Sequence, residues 1–569
     1  MLSAIRSVTA ILGALILLAG IYGSQNTSAG SLDSTTNSVA RRDGPRNDTK
    51  QWTPTPPHKP HVRKIIKEID ISPEQRQWLL EPTALGHAEH LAQFAAKYRE
   101  YVRLHTALME LDAAIEEHCG DCRHPPHNSL DVAQCCAESS GPVFSTTLLH
   151  TFLRRVEANL VPWAHHSFSS VSHLYKTFAS APRTRGIVLT TGRGLQARMA
   201  MVSIRTIRAS GCTLPIEVMY AGDWDLDPVS RSRIEAMGNG YDIVTRDLTK
   251  IVDPTTAGLL GWSAKPFSAM YASFSEVILQ DADVVWVGSP EEVFLEDAYK
   301  NTGTLFYFDR RRLTPSEDKR FYFVVSLLSP DLMRLPSPEE NVILRRASND
   351  LQESGVVAID KSRQPNFYGL LAACALNDAR WQYITYDHVY GDKETFWLGW
   401  EMAGFRSFGW TKWPAAAMGY IVRGTQSPYK VIFSNDYSAS STPDGPANHR
   451  RICAVHLTHL DRTGTRVLWF NGGPLRDKYQ PDSKPLTADD LVWAAEGAMS
   501  YWESGEQDSI LCLAITDDKV EMSSTDGRSK GEAIVQTGRG IDGSPKSLSA
   551  EEGRALADLK EDESGRTAF

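Results

Sequence analysis

Residues 265–287 read KPFSAMYASFSEVILQDADVVWV, a helix-like apolar segment running directly into a strand that is interrupted by Asp281 and Asp283. Two carboxylates inside a run suited to a buried strand carry a desolvation cost of several kcal/mol unless something compensates them. The pattern makes sense if the strand leaves its sheet at this point. Carboxylates at i and i+2 can then serve one hard divalent cation through oxygen ligands, and such a cation clamps a diphosphate. The alternative is a strand-end turn in which the aspartates bond local backbone. Asp-x-Asp alone is a weak signal: Asp223-Trp-Asp225 and Asp225-Leu-Asp227 also match it. These lie in a loop-like stretch and read as decoys.

Working outward, the chain from about residue 183 alternates between two periods. RGIVLTTG (185–192), LPIEVMYAG (214–222) and YDIVTRDL (241–248) read as strands, with helical spacing in LQARMAMVSIRTIRASG (195–211) and SRSRIEAMGNG (230–240) between them. Strands separated by helices predict a parallel sheet covered on both faces, with ligands bound at the carboxyl ends of its strands. TLFYFDRR (304–311), SGVVAIDK (354–361) and RRICAVHLTHL (450–460) are further strand-like runs.

The expected organisation is a tail at 1–6, a transmembrane signal-anchor at 7–23, a flexible stalk at 24–61, a helical stem at 62–182, a catalytic domain at 183–515 and a disordered tail at 516–569. Arg6 precedes an uncharged apolar run from Ser7 to Gly23, which favours an N-in orientation with the rest translocated. A cleaved signal peptide is the alternative, since Ala19, Gly20 and Gly23 are small. The stalk is rich in Ser, Thr, Asn and Pro, and the sequons at Asn26 and Asn47 lie in it. In the stem, Leu91, Phe94, Tyr98, Tyr101, Leu104, Leu108, Leu111 and Ile115 recur at helical intervals. Cys119, Cys122, Cys135 and Cys136 cluster with three histidines; in an oxidising lumen disulfides are favoured over zinc. Cys212, Cys374, Cys453 and Cys512 read as buried thiols. The net charge of −9 excludes the basic footprint of a general nucleic-acid binder, and neither a P-loop nor an HExxH motif is present.

The blocks RGIVLTTGRG, KPFSAMYASFSEVILQDADVVWV, QESGVVAIDK and GDKETFWLGWEMAG, in this order, resemble the fungal Golgi α-1,3-mannosyltransferases that extend mannan and mannoprotein glycans. The resemblance covers about half the chain, Gly186 to Phe470. It implies a GT-A-type nucleotide-sugar fold, a Rossmann-like mixed sheet flanked by helices. It also implies retaining transfer of mannose from GDP-mannose to a mannose hydroxyl of a glycoprotein glycan, with Mn2+ as the cofactor, at the Golgi membrane in a single-pass type II arrangement.

By that resemblance Asp281 contacts ribose and metal, Asp283 binds the metal, and Lys265 approaches the nucleotide or its phosphates. Thr190, Thr191 and Gly192 line the guanosine site. Related retaining enzymes carry a late-strand histidine as a third ligand, for which His456 is preferred over His459, although the Gly-Lys-Pro-Trp ending of those relatives is missing here. Asp392 and Glu394 orient sugar hydroxyls, and Glu353 sits beside the donor; helix capping is the alternative for Asp392 and Glu394. Sugars stack on aromatic rings; core packing is the expected role for most of the rings from Phe396 to Trp413, with Trp397 and Trp400 the leading candidates for an acceptor platform. Transfer from a UDP-hexose, or a non-catalytic lumenal glycan-binding role, are the competing functions.

Overall fold

The computed structural model describes most residues from Ile65 to Ile515 together with Val535–Gln536. Residues 1–64, 119–145, 239–241, 311–316, 329–340 and 424–449, some shorter gaps, and nearly all residues past 515 lie outside it. The anchor, the stalk and the cysteine cluster therefore fall outside the described residues. Among those described, no helix is long and apolar enough to cross a membrane.

Three largely apolar runs form the buried parallel strands β1 (Arg185–Thr190), β2 (Ile216–Tyr220) and β4 (Glu276–Asp281), and β3 (Ile243–Asp247), buried only at Ile243, joins them in parallel at the sheet edge. Continuous apolar strands of this kind belong inside a sheet with both faces covered. β6 (Thr304–Phe308) and β7 (Gln352–Asp360) complete the sheet in the order β3-β2-β1-β4-β7-β6. β7 runs antiparallel to both its neighbours, so the sheet is mixed rather than wholly parallel.

The stretch 276–287 is two strands. β4 ends at Asp281, and β5 (Val284–Trp286) belongs to a second, nine-stranded sheet. There β5 pairs with β11 (Val467–Asn471), which pairs with β10 (Leu457–Leu460). β8 (Ala416–Arg423), β9 (Arg450–Ala454), β12 (Val492–Ala495), β13 (Ser500–Ser504), β14 (Leu511–Ile515) and β15 (Val535–Gln536) make up the rest. RRICAVHLTHL thus splits into β9 and β10. The segment read as a structureless tail contributes two residues, β15, which pair with β12. Cys453 and Cys512 face each other across β9 and β14 and form a disulfide, correcting their reading as thiols, whereas Cys212 and Cys374 are buried and free.

Helices α1 (Pro73–Leu80), α2 (Ala88–His118), α3 (Thr146–Leu160) and α4 (Val171–Ala179) precede the sheet. α2 buries Leu91, Phe94, Tyr98, Tyr101, Leu104, Leu108 and Leu111. They join one core with α7 (Ala264–Tyr271), α8 (Gln364–Leu376) and α10 (Thr395–Ala403). The Tyr98 hydroxyl donates to the Tyr368 carbonyl at 2.9 Å, so the stem helix is packed into the same core as the helices that cover the sheet.

α8 and α10 touch through glycines. A Cβ at Gly369 would lie 2.1 Å from the Trp400 ring, and one at Gly399 2.5 Å from the Gly369 carbonyl. Both partners are rigid, so Gly369→Ala is expected to cost about 1–3 kcal/mol through overpacking, read as a lower denaturation midpoint.

Candidate functional site

The backbone between Asp281 and Asp283 is the crossing from one sheet to the other: Asp281 is the last residue of β4, paired only with Thr190 of β1, and Asp283 lies just before β5. α7 aims Lys265 at the same point. All eight residues of this helix are buried, and Pro266 is tolerated because the first turn needs no intrahelical N–H bond. Lys265, only 4% exposed, meets Asp281 Oδ1 at 2.8 Å and Asp392 Oδ2 at 2.9 Å. It also donates to the carbonyl and the hydroxyl of Ser354, each at 3.0 Å.

One ammonium thus joins strand β4, the start of β7 and the loop before α10. Burial opposes its charge, but the two carboxylates outweigh burial and hold its pKa above the ordinary lysine range. For Asp281 burial dominates: despite Lys265, and with Asp283 and Asp392 repelling, its pKa is pushed up to about 7. Lys265 therefore supplies the charge that compensates the burial of Asp281.

A second cation sits beside the first. Lys393 pairs with Asp309 at the end of β6, and Arg310 lies 3.5 Å from the same carboxylate. Glu353, buried on β7, accepts from Gly355 N at 2.8 Å and from Asn471 Nδ2 of β11 at 2.9 Å. A Cβ on Gly355 would lie 2.8 Å from that Asn471 nitrogen. The two sheets are therefore bonded to each other through the predicted donor-side glutamate. Burial raises the Glu353 pKa.

Glu394 has a different environment. Its Oε1 accepts from Leu351 N at 2.8 Å and its Oε2 from the Trp397 indole at 2.5 Å, while burial pushes its pKa up to about 7. It stands at the N-cap of α10 without capping that helix through its side chain. The carboxylate instead ties α10 to the start of β7, a positioning role. Trp397 and Trp400 are 1% and 0% exposed, and their indoles donate to Glu394 and Asn366. Neither presents a ring face to a sugar, because α10 is apolar on every side and packs into the core. Core packing therefore holds for these two rings as well, which corrects their reading as candidate platform residues.

The carboxyl ends of β1, β2 and β3 form the neighbouring edge. Thr190 is in register with Asp281, and its hydroxyl is buried with no hydrogen-bond partner among the described residues. Thr191 is buried, its N–H donating to Met219 O at 3.2 Å. A Cβ at Gly192 would lie 3.0 Å from Asp225 Oδ1, so that glycine lets a carboxylate close on the β1 loop. The 223–227 decoy motif is spent locally. Asp223 pairs with Arg231 at 2.6 Å, Asp225 Oδ2 accepts from Ala221 N at 2.9 Å, and Asp227 caps the helix Pro228–Glu235.

His456 lies between β9 and β10, buried at the Asp283 end of the second sheet. Its Nε2 is 3.2 Å from Gly473 O, and Gly473 N donates to Asp283 O at 2.8 Å. His459 faces the other way. It stacks on Trp469 with centroids 4.2 Å apart, and burial lowers its pKa to about 3, which makes it a core ring and leaves His456 as the histidine at the site.

Among the described residues no group of three or more His, Cys, Asp or Glu side chains is arranged to hold a metal. Asp283 and His456 offer the right donor types, and Asp281 is held by Lys265. The donor set fits a divalent cation only when oxygens from a diphosphate complete the shell, as is usual for ions bound through one or two carboxylates plus substrate phosphates. Asp309, Ser354 and Asn471 were not found from sequence. Each acquires its role through a contact made far along the chain; Ser354 lies in the block QESGVVAIDK and Asp309 in the strand-like run TLFYFDRR, but neither residue type marks the role.

Residues 184–461 match the family model described as "Mannosyltransferase putative". The chain is 28% identical over 338 residues to "Putative alpha-1,3-mannosyltransferase MNN15" of Candida albicans, covering 51% of this chain and 41% of that protein. It is 24% identical over 332 residues to "Alpha-1,3-mannosyltransferase MNN1" of Saccharomyces cerevisiae, covering 51% and 40%. The chain thus spans about two fifths of the length of these relatives. Among solved structures, the glycosyltransferase GlyE of Streptococcus pneumoniae aligns with a TM-score of 0.26 at 13% identity, over 40% of this chain and 46% of that one.

Proposed function

We propose, taking as premise that residues 184–461 belong to the fungal α-1,3-mannosyltransferase family, that the chain transfers mannose from GDP-mannose to a mannose hydroxyl of a glycoprotein glycan. The reading includes a GT-A-type fold, retention of configuration, an α-1,3 linkage and a requirement for a divalent cation such as Mn2+. The observation that carries it is the Lys265 ion pair, which gathers Asp281 and Asp392 at the crossing between the two sheets. Such an arrangement supplies fixed charge where a diphosphate and a sugar must be held side by side.

In this reading Asp283 and His456 hold the cation, which neutralises the departing diphosphate. Asp281, fixed by Lys265, takes the ribose side. Asp392, held by the same ammonium, and Glu353, oriented by Asn471, face the transferred mannose. No side chain stands in the position of a covalent nucleophile in this assignment, and the acceptor attacks from the leaving-group face. A lumenal Golgi location, anchored through residues 7–23, is part of the proposal; the Cys453–Cys512 disulfide suits an oxidising compartment.

Calorimetric titration of the chain with nucleotides tests the donor site. GDP should bind at least tenfold more tightly than UDP. Mn2+ should strengthen GDP binding, yet give no heat when added alone. Equal affinity for UDP, or tight Mn2+ binding without nucleotide, would overturn the assignment of the donor site.

A further inference from the structure

Trp397 and Trp400 being buried leaves the acceptor side without a sugar-binding face. A different aromatic group flanks the ion pair. Trp262, three residues before Lys265, is 51% exposed, and Tyr390, two residues before Asp392, is 62% exposed. Their ring centroids are 5.3 Å apart at an interplanar angle of 45°.

Tyr386 adds a third ring 6.5 Å from Trp262, and its hydroxyl is pinned to Asn377 Oδ1 at 2.7 Å. Gly391 sits between Tyr390 and Asp392 with φ +60, and a Cβ there would lie 2.8 Å from Trp262 Cε3. Trp262 therefore rests directly on the backbone that carries Asp392. At the inner side, Lys393 Nζ is 5.8 Å from the Tyr390 ring centroid, and Lys393 is the partner of Asp309.

Large rings grouped at the surface forgo the stabilisation of burial, and contiguous exposed apolar groups mark binding sites. These rings have a polar, charge-lined inner end and an apolar face open to solvent. That combination matches a ligand with apolar C–H faces and a hydroxyl to be delivered to the ion pair.

We propose that Trp262 and Tyr390, backed by Tyr386, form the acceptor subsite, on which mannose rings of the acceptor glycan stack with one hydroxyl directed toward Asp392. This rests on the transfer reading above. It adds the residues that select the acceptor, and makes Gly391 the position that lets Trp262 lie against the catalytic loop.

The test measures transfer from GDP-mannose to α-mannotriose by the full chain and by Trp262→Ala, Trp262→Leu, Trp262→Phe and Tyr390→Ala, with Tyr322→Ala as a control for an exposed ring elsewhere. Trp262→Ala, Trp262→Leu and Tyr390→Ala should each raise the acceptor KM about tenfold, with the KM for GDP-mannose within twofold of wild type. Trp262→Phe should keep most of the affinity, and Tyr322→Ala should change nothing. Trp262→Leu keeps apolar volume without a ring face, so its loss reports stacking even where the alanine variant folds poorly. An acceptor KM that is unchanged in folded Trp262→Leu and Tyr390→Ala overturns the subsite.

Should wild type transfer nothing, saturation-transfer NMR with α-mannotriose decides separately. Sugar signals seen with wild type and lost in Trp262→Leu support the platform while the transfer reading fails. No signal with wild type overturns the platform.

Discussion

Replacing Lys265 by Met should abolish transfer and destabilise the chain by about 3–5 kcal/mol, the cost of removing one partner from a buried ion pair. The methionine fills the volume but leaves Asp281 and Asp392 facing each other around a lost ammonium, with the Ser354 carbonyl also short of a donor. Two adjoining carboxylates cannot both stay ionised, so Asp281, whose pKa already stands near 7 with Lys265 present, takes a proton. The sign follows from the ordinary value of about 4. A carboxyl whose folded pKa is raised favours the folded state in acid and loses that contribution between its ordinary and its folded pKa, so the variant's stability should fall from about pH 4 upward and go on falling past pH 7, where the wild type levels off. Urea unfolding at pH 5 and pH 8 reads this. A second change, Asp392→Asn, should return part of the loss, because contacting residues are not additive. A variant as stable as wild type at pH 8 would show that the ammonium is not what holds the two aspartates.

Asp283→Asn should behave in the opposite way, losing activity with little change in stability. Asp283 stands at the crossing between the sheets and is only partly buried, and its structural tie to Gly473 runs through its own carbonyl, which asparagine retains. What the amide lacks is the negative charge and the second oxygen that a carboxylate offers a cation. Cation assistance is worth several kcal/mol of charge stabilisation, and each 1.36 kcal/mol is tenfold in rate, so transfer should fall by about a hundredfold or more.

The order of β1 to β4 was legible because each strand is a short apolar run bounded by Gly, Asp or Pro and separated by a helical period. The Asp281–Asp283 break was legible for the same reason, since carboxylates are costly inside such runs. The second sheet was mostly hidden. β5 is three residues long and, read in sequence, merges with β4, while β10 and β11 owe their place to partners far along the chain.

Site residues followed the same divide. Lys265, Asp392, Glu353 and His456 stand in recognisable blocks, but the contact that makes Lys265 central joins residues more than a hundred positions apart. Likewise the Glu353–Asn471 bond crosses between sheets. The aromatic run from Phe396 to Trp413 reads mainly as core, as Phe396, Trp397 and Trp400 are, but composition does not tell which rings are exceptions, and Trp397 and Trp400 are not. Trp262, in the aperiodic stretch LLGWSAK, carried no signal at all.

The central claim is metal-assisted mannosyl transfer at the Asp281–Asp283 crossing. The measurement that tests it most directly follows mannose from GDP-mannose onto α-mannobiose with purified chain and Mn2+, before and after chelation, beside Asp283→Asn. Wild type should give an α-linked product that is lost on chelation and recovered with added Mn2+, and the variant at most about a hundredth of the rate. Undiminished transfer by Asp283→Asn or by the chelated enzyme, or no transfer from any nucleotide sugar, would contradict it.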